Sequence, residues 1–289
     1  MILSVVIITH NEEANIGRTL ESVKALVSDG KGEIVIVDSG STDRTMEIAK
    51  SYGAKVFVEE WKGYAAQKNS AITKATGDWI LSLDADEELD PEASEQVLKA
   101  LTAWYNAVKR SDRLHADNFL PDPRTETYIQ DFVAVTGAQP YAQGIEIRRR
   151  NFFLGRWIKH GGFWPDPKLR LFRRGGARFE DRAVHEDVRV EGRTGQIRRG
   201  TLIHHSYPTL SEYIEHMNRY SSLGAEMAVA KGIRGFSVIN IVVRPLLTFI
   251  YNYFLRLGFL DGREGLLLHL YHAVYVSWKY AKVWELSRK

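Results

Sequence analysis

Residues 79–87 read Trp-Ile-Leu-Ser-Leu-Asp-Ala-Asp-Glu, an apolar run that ends in two carboxylates, Asp84 and Asp86. In a strand or extended turn, residues i and i+2 point the same way. Two carboxylates held side by side repel unless a cation lies between them. Hard oxygen ligands of this kind suit Mg²⁺ or Mn²⁺, ions usually held by one or two carboxylates plus substrate phosphates. Read locally, the segment is a metal–diphosphate site. It reads equally as an acidic turn ahead of a helix, because Asp90-Pro91-Glu92 has the form of a helix start.

Working back towards the N-terminus, strand and helix signals alternate. Leu3–Thr9 and 33–38 (EIVIVD) are continuous apolar, β-branched runs; Ala54–Val58 is shorter, and Asp78–Leu83 leads into the acid pair. Between them, Asn15–Leu26, Asp43–Tyr52 and Tyr64–Ala75 carry helical spacing, and Ser41 or Thr42 can cap the second of these. Apolar strands separated by helices predict an α/β fold, a mostly parallel sheet covered on both faces. Ligands of such sheets bind at the carboxyl ends of the strands. The residues to watch are therefore Thr9-His10-Asn11-Glu12, Asp38-Ser39-Gly40-Ser41 and Asp84-Ala85-Asp86. The turn after the first strand has no glycine before Gly17, and there is no Walker lysine motif, which argues against dinucleotide and P-loop sites.

Composition sets the outer bounds. The 289 residues are 44% hydrophobic and 26% charged, enough for one large domain or a domain with an elaboration. There is no cysteine, which excludes disulfides and thiolate metal sites and fits a reducing compartment. The N-terminus has no basic n-region or cleavage site, and reads as a strand rather than a signal peptide. The net charge of +3 hides an uneven distribution. From Arg148 to Arg182 eleven Lys/Arg stand against three acids, interleaved with Phe152, Phe153, Trp157, Phe163 and Trp164. This stretch suits an anionic ligand, or is a solvated basic surface. No nucleic-acid-binding signature accompanies it. Residues 104–144, with Pro121, Pro123 and Pro140, read as an inserted or mobile segment. Residues 236–285 read as two amphipathic helical segments rich in aromatics, interrupted by Arg244, Asn252, Arg256, His269, His272 and Lys279, and so not membrane spans. They fit either an anionic membrane surface or packing on the protein body or a second subunit.

Three linked stretches, SVVIITHNEEANIGRTLESV (4–23), EIVIVDSGSTDRT (33–45) and QKNSAITKATGDWILSLDADEEL (67–89), resemble the family 2 glycosyltransferases, inverting enzymes with the GT-A fold. The stretches 149–174, 177–188 and 261–285 are similar to the lipopolysaccharide core β-1,4-glucosyltransferase subgroup; the chain departs from that pattern at about 104–144. The resemblance implies a GT-A domain over 1–232, with a nucleotide-sugar half (1–103) and an acceptor half (104–232), followed by an amphipathic helical extension over 233–289. It implies a UDP-sugar donor, with glucose transfer as its narrowest form, and a lipid-linked anionic acceptor such as inner-core heptose. The enzyme would be cytoplasmic, peripheral at the inner membrane, with a polyprenyl-linked or other envelope glycan as the alternative acceptor.

The same resemblance distributes roles. Thr9, Asn11 and Glu12 would hold the nucleoside, and Asp38 would accept from uracil N3–H. Lys68 and Asn69 would lie near the base and first phosphate, with Lys68 standing where the family usually has Arg. Asp86 would bind Mg²⁺ or Mn²⁺ directly, with Asp84 contacting the ribose or a metal-bound water. The base would come from 180–187, Glu186 first, Asp187 second and Asp181 third, with His185 orienting it or touching a phosphate. Arg170 or Arg173 would meet diphosphate or a phosphorylated acceptor. Two rivals are weaker: a sugar nucleotidyltransferase, which needs a Gly-rich loop that 10–16 lacks, and a non-catalytic sugar-nucleotide binder.

Overall fold

The structure is a computed structural model and describes residues 2–109, 123–138, 142–180 and 188–288. The elements run β1 (Leu3–Thr9), α1 (Ile16–Val27), β2 (Gly32–Asp38), α2 (Thr45–Ser51), β3 (Lys55–Val58), α3 (Tyr64–Lys74), β4 (Trp79–Asp84), β5 (Glu87–Leu89) and α4 (Pro91–Trp104). Next come α5 (Pro123–Thr136), β6 (Gly144–Phe153), β7 (Arg156–Trp157), β8 (Asp166–Arg173), β9 (Ala177–Phe179), β10 (Val188–Val190), β11 (Thr194–Gln196) and β12 (Leu202–Tyr207). The chain ends in α6 (Leu210–Ala230), α7 (Arg244–Ile250) and α8 (Gly262–Leu286), with π-helical turns at Ile239–Val243 and Tyr251–Leu255 on either side of α7.

Two compact units result. Unit one holds residues 1–149, 167–182 and 186–203; unit two holds 150–166, 183–185 and 204–289. The division falls within β6, β8 and β12, and the boundary expected at 232/233 lies inside unit two.

In unit one the sheet order is β3-β2-β1-β4-β8-β6-β12-β5. Strands β3, β2, β1 and β4 are mutually parallel, and β8 lies antiparallel to β4. The continuous apolar character of β1 has a direct cause. Leu3, Val5 and Ile7 pack into one core layer with Ile16, Leu20 and Val23 of α1, whereas Val6 packs into the opposite layer with Ala71 of α3 and Phe172. Alternate side chains of a strand point to opposite faces, so a strand buried on both must be apolar throughout. After the acid pair, Asp90 caps α4, its Oδ1 accepting from Ala93 N at 2.7 Å, with Pro91 at the first turn. That role belongs to Asp90, so Asp84 and Asp86 are not needed to cap the helix.

In unit two, α6 and α8 pack through Ala225, Ala228 and Val283. A second cluster joins Phe153, Ile158, Tyr213 and Leu268. Asp261, buried before α8, accepts from the backbone N–H groups of Lys159 (3.1 Å) and His160 (2.8 Å).

Candidate active site

The register brings three strand ends to one line. Thr9 stands opposite Asp38, and Ile8 opposite Asp84, at the carboxyl edge of the parallel strands. Here β1 is followed on one side by β2 and on the other by β4, so the chain reverses direction across the sheet and leaves a crevice between the loops.

The loops after β1 and β2 are tied to each other. Asn11, with φ of 55°, donates its N–H to Ser41 Oγ (2.8 Å) and accepts from Thr42 N at Oδ1 (2.8 Å). Asparagine is among the few non-glycine residues that tolerate this left-handed conformation. Glu12 N donates to Thr45 Oγ1 (2.7 Å), Glu13 N to Asp43 Oδ2 (3.0 Å), and Arg44 N returns to Glu13 Oε2 (3.0 Å). Asp38 is the buried centre of this lattice. Its Oδ1 accepts from Gly40 N (2.9 Å) and Ser41 N (2.7 Å), and its Oδ2 from Thr9 Oγ1 (2.7 Å) and Ser41 Oγ (2.6 Å). Four donors use the four acceptor positions a carboxylate has.

Above the lattice lies a cavity of about 400 Å³ lined by Ile8, Thr9, His10, Glu12, Ser39, Trp61 and Tyr64. The two aromatics meet edge to face at 4.7 Å and are half exposed at its rim. Of the nucleoside residues expected from the sequence, Thr9 and Glu12 reach this cavity. Ser39 also lines it, while Asn11 and Asp38 make the loop hydrogen bonds just described, directly beneath it. Ser39 Oγ donates its hydrogen to Thr9 O at 3.1 Å, leaving oxygen lone pairs to accept. His10 and Ser39 belong to the strand-end loops singled out in the sequence, whereas Trp61 and Tyr64 were missed; the aromatics in 59–64, just ahead of α3, were the available signal.

The acid pair sits in a turn held from two sides. Thr19 Oγ1 donates to Ala85 O (2.7 Å), and Asp84 N donates to Glu87 Oε2 (3.1 Å). Lys68 Nζ reaches Asp84 Oδ1 at 2.7 Å, and Arg170 Nη2 reaches Asp84 Oδ2 at 2.7 Å and Glu87 Oε1 at 2.6 Å. Arg149 Nη1 also meets Glu87 Oε1, at 3.1 Å. Burial alone would push the Arg170 guanidinium pKa down, but the charges of Glu87, then Asp84, then Asp86, hold it raised. Asp86 is half-buried. Burial, against the hydrogen bond from Asn15, and then the charges of Asp86, Asp43 and Asp84, lift the Glu12 carboxyl above its usual range. Glu12, which lines the cavity, thus feels the negative charge of Asp86, Asp43 and Asp84. Hard carboxylate oxygens in a locally acidic space fit a divalent cation. Among the described residues, no group of three or more His, Asp or Glu side chains surrounds a common point.

Other expected residues fall elsewhere. Asn69 clamps the backbone of Phe179, donating from Nδ2 to its O (2.9 Å) and accepting its N–H at Oδ1 (3.0 Å). It lines a separate cavity of about 670 Å³ with Gly176, Arg178 and Arg189 rather than the one at the strand ends. Lys68, its neighbour, lies 5.1 Å from the Phe179 ring. Arg173 pairs in register with Trp79, at the end of β4 remote from Asp84. There its guanidinium lies 5.0 Å from the Trp104 ring and 6.0 Å from that of Trp79. The structure thus brings Arg170 to the acid pair but not Arg173, and makes Arg170 a buried counter-ion. Asp181, His185, Glu186 and Asp187 lie outside the described residues.

The parallel sheet with a cavity and an acidic turn at its carboxyl edge is the GT-A glycosyltransferase arrangement. Its fold is shared by the mannosyltransferase PcManGT from Pyrobaculum calidifontis, solved with GDP-Man and Mn²⁺, which is 14% identical with a TM-score of 0.53 over 97% of this chain and 86% of that one. The family profile described as "Glycosyl transferase family 2" matches residues 4–178, and the chain belongs to that family. The lipopolysaccharide core biosynthesis glycosyltransferase LpsC of Rhizobium meliloti is 31% identical over 98% of this chain and 92% of its own length. An uncharacterized glycosyltransferase of Rickettsia typhi is 30% identical over 99% of this chain and 88% of its own.

Proposed function

We propose that this family 2 glycosyltransferase moves a hexose, glucose foremost, from a UDP-sugar to a lipid-linked anionic saccharide, such as the heptose of a lipopolysaccharide inner core. The observation that carries the donor half is the alignment of strand ends, which sets the Thr9–Glu12–Ser39 cavity beside Asp84 and Asp86. The acceptor half draws on the name of the LpsC relative. The place of reaction is then the cytoplasmic face of the inner membrane, where a cytoplasmic nucleotide sugar can meet a lipid-borne acceptor.

In this reading the base enters the cavity with its imide edge towards Ser39. Asp38, a carboxylate that can only accept, would take the N3–H of uracil, which the bare N3 of cytosine lacks, with the Ser39 hydroxyl beside it. Trp61 and Tyr64 offer ring surface at the rim. Asp86, supported by Asp84, would hold Mg²⁺ or Mn²⁺ together with diphosphate oxygens, and a cation there supplies neutralisation of charge on the departing UDP. Lys68 and Arg170 keep Asp84 ionised and oriented. Inverting transfer forms the bond from the acceptor oxygen to the anomeric carbon as the bond to diphosphate breaks. Glu186 takes the acceptor proton on the face opposite the nucleotide, with Asp187 the next candidate and His185 its orienting neighbour.

A panel of nucleotide sugars read by nucleotide release tests the function. UDP-glucose should be turned over in an acceptor-dependent and EDTA-sensitive way, with CDP-glucose inert. Release that ignores the acceptor, or fails to select the uridine nucleotide, overturns the reading. Glu186→Gln should keep UDP-sugar binding by calorimetry and lose transfer by about 10²–10⁴-fold. Unchanged transfer would move the base to another residue.

A further inference from the structure

Residues 236–260 carry a second functional surface. Between Val238 and Leu257 only Pro245 is buried. Ile239, Val242, Leu246, Leu247, Phe254 and Leu255 are all exposed large apolar side chains, Ile239 to 69% and Leu255 to 71%. They run along one segment, α7 with the π-helical turns on either side of it. Isolated exposed leucines need no explanation, but a continuous apolar face on a folded protein marks a surface that is covered in use.

The other side of this segment is fixed in place. Ser277 Oγ of α8 donates to Ile241 O at 2.8 Å, Arg244 donates to the Tyr280 hydroxyl, and α7 packs on α8. The face therefore belongs to a held element of unit two rather than to a loose tail.

Charge identifies the occupant. Across 231–270 the cations Lys231, Arg234, Arg244, Arg256 and Arg263 are all exposed. The two acids of that stretch are Asp261, buried against the backbone of Lys159 and His160, and Glu264, half-buried and 3.6 Å from Arg156. We infer that this face docks on an anionic lipid surface, with the apolar side chains in the headgroup–acyl boundary and the arginines among the phosphates. A second copy fits less well, because a two-fold contact would set the same cationic rim against itself. No helix among the described residues is long and apolar enough to cross a membrane, so the mode is attachment along the surface.

This inference names a partner of the enzyme proposed above, but it rests on unit two and not on the donor site. The test is co-sedimentation of the full chain with vesicles of phosphatidylcholine alone and of phosphatidylcholine with phosphatidylglycerol. UDP release from UDP-glucose is measured in parallel. Binding should need phosphatidylglycerol and weaken with salt. Ile239→Glu with Leu246→Glu should weaken it at least about tenfold. Arg234→Gln with Arg263→Gln should weaken it about fivefold per arginine, and this second pair tests the idea even if the apolar variant folds poorly. Neither pair should alter UDP release. Absence of sedimentation, indifference to lipid charge, or a dimer that the apolar variant splits without any vesicle binding overturns the proposal. Vesicle binding without UDP release would instead sink the donor reading and leave this one standing.

Discussion

Asp86→Ala should reduce kcat/KM for the sugar donor by at least about 10²–10³-fold, the scale of losing one preorganised electrostatic contact in a transition state, and leave the fold intact. The two carboxylates of the turn are not equivalent. Both oxygens of Asp84 carry cationic partners of the protein, Lys68 and Arg170, at 2.7 Å each. Asp86 instead acts on Glu12, whose carboxyl its charge helps to hold above its usual range. In the proposed function a divalent cation would offset that charge, with Asp86 as its ligand. Asp84→Ala should behave differently, lowering thermal stability together with activity, because it strips a partner from two buried cations. The check is donor turnover across a Mn²⁺ series with thermal unfolding alongside. Full activity in Asp86→Ala would falsify the metal role, and an unchanged Tm for Asp84→Ala would remove the distinction between the two acids.

The strands were legible because burial on two faces leaves a plain mark. Expected β1 coincides with the observed one, β2 and α3 differ only at single ends, and β4 is shifted by one residue at each end. The acid pair and the strand-end loops were legible for the same reason, since a parallel sheet exposes only its carboxyl edge. The direction of individual side chains was not. Asp38 and Ser39 are neighbours on one strand end, and only the donors from Thr9, Gly40 and Ser41 reveal that the carboxylate braces the loops beneath the cavity that Ser39 lines. Asn11 is similar: its partners Ser41 and Thr42 lie about thirty residues away, and no local pattern announces a loop braced by another loop.

Arg170 and Arg173 show what long-range pairing adds. They are three apart on β8 and so point to opposite faces; at most one could meet the site. The antiparallel register, Arg173 on Trp79 and Leu171 on Leu81, decides which. Arg170 lies further along towards Asp84, 86 positions earlier in the chain. Nothing within KLRLFRR specifies that neighbour. Lys68 and Asn69 carry the same lesson on α3, where one side chain holds the acidic turn and the next holds the backbone of Phe179.

The largest stability effect should come from Glu87, a residue the sequence reading passed over as part of an acidic turn. It is fully buried, and one of its oxygens holds Arg170 at 2.6 Å and Arg149 at 3.1 Å while the other accepts from Asp84 N. Removing one partner of a buried ion pair costs about 3–5 kcal/mol, because the remaining charge is stranded away from water. Glu87→Ala should therefore lower Tm by roughly 10 °C, taking about 2–4 °C per kcal/mol for a chain of this size class. It should also weaken donor turnover, since Arg170 would shift off Asp84 and the turn would lose the bond to Asp84 N. Glu87→Gln keeps an acceptor for both the backbone and the guanidinium groups, and should retain part of the stability. Pairing Glu87→Met with Arg170→Met should recover stability relative to Glu87→Ala, because well-packed apolar side chains can replace a buried ion pair at little cost, yet it should not recover turnover, since Asp84 loses one of its two cationic partners and the bond from its own N–H to Glu87. Thermal unfolding and UDP release on the three variants separate these outcomes; a Glu87→Ala protein within about 1 kcal/mol of the parent would mean that solvent reaches Arg149 and Arg170 and that the acidic turn stands without this support.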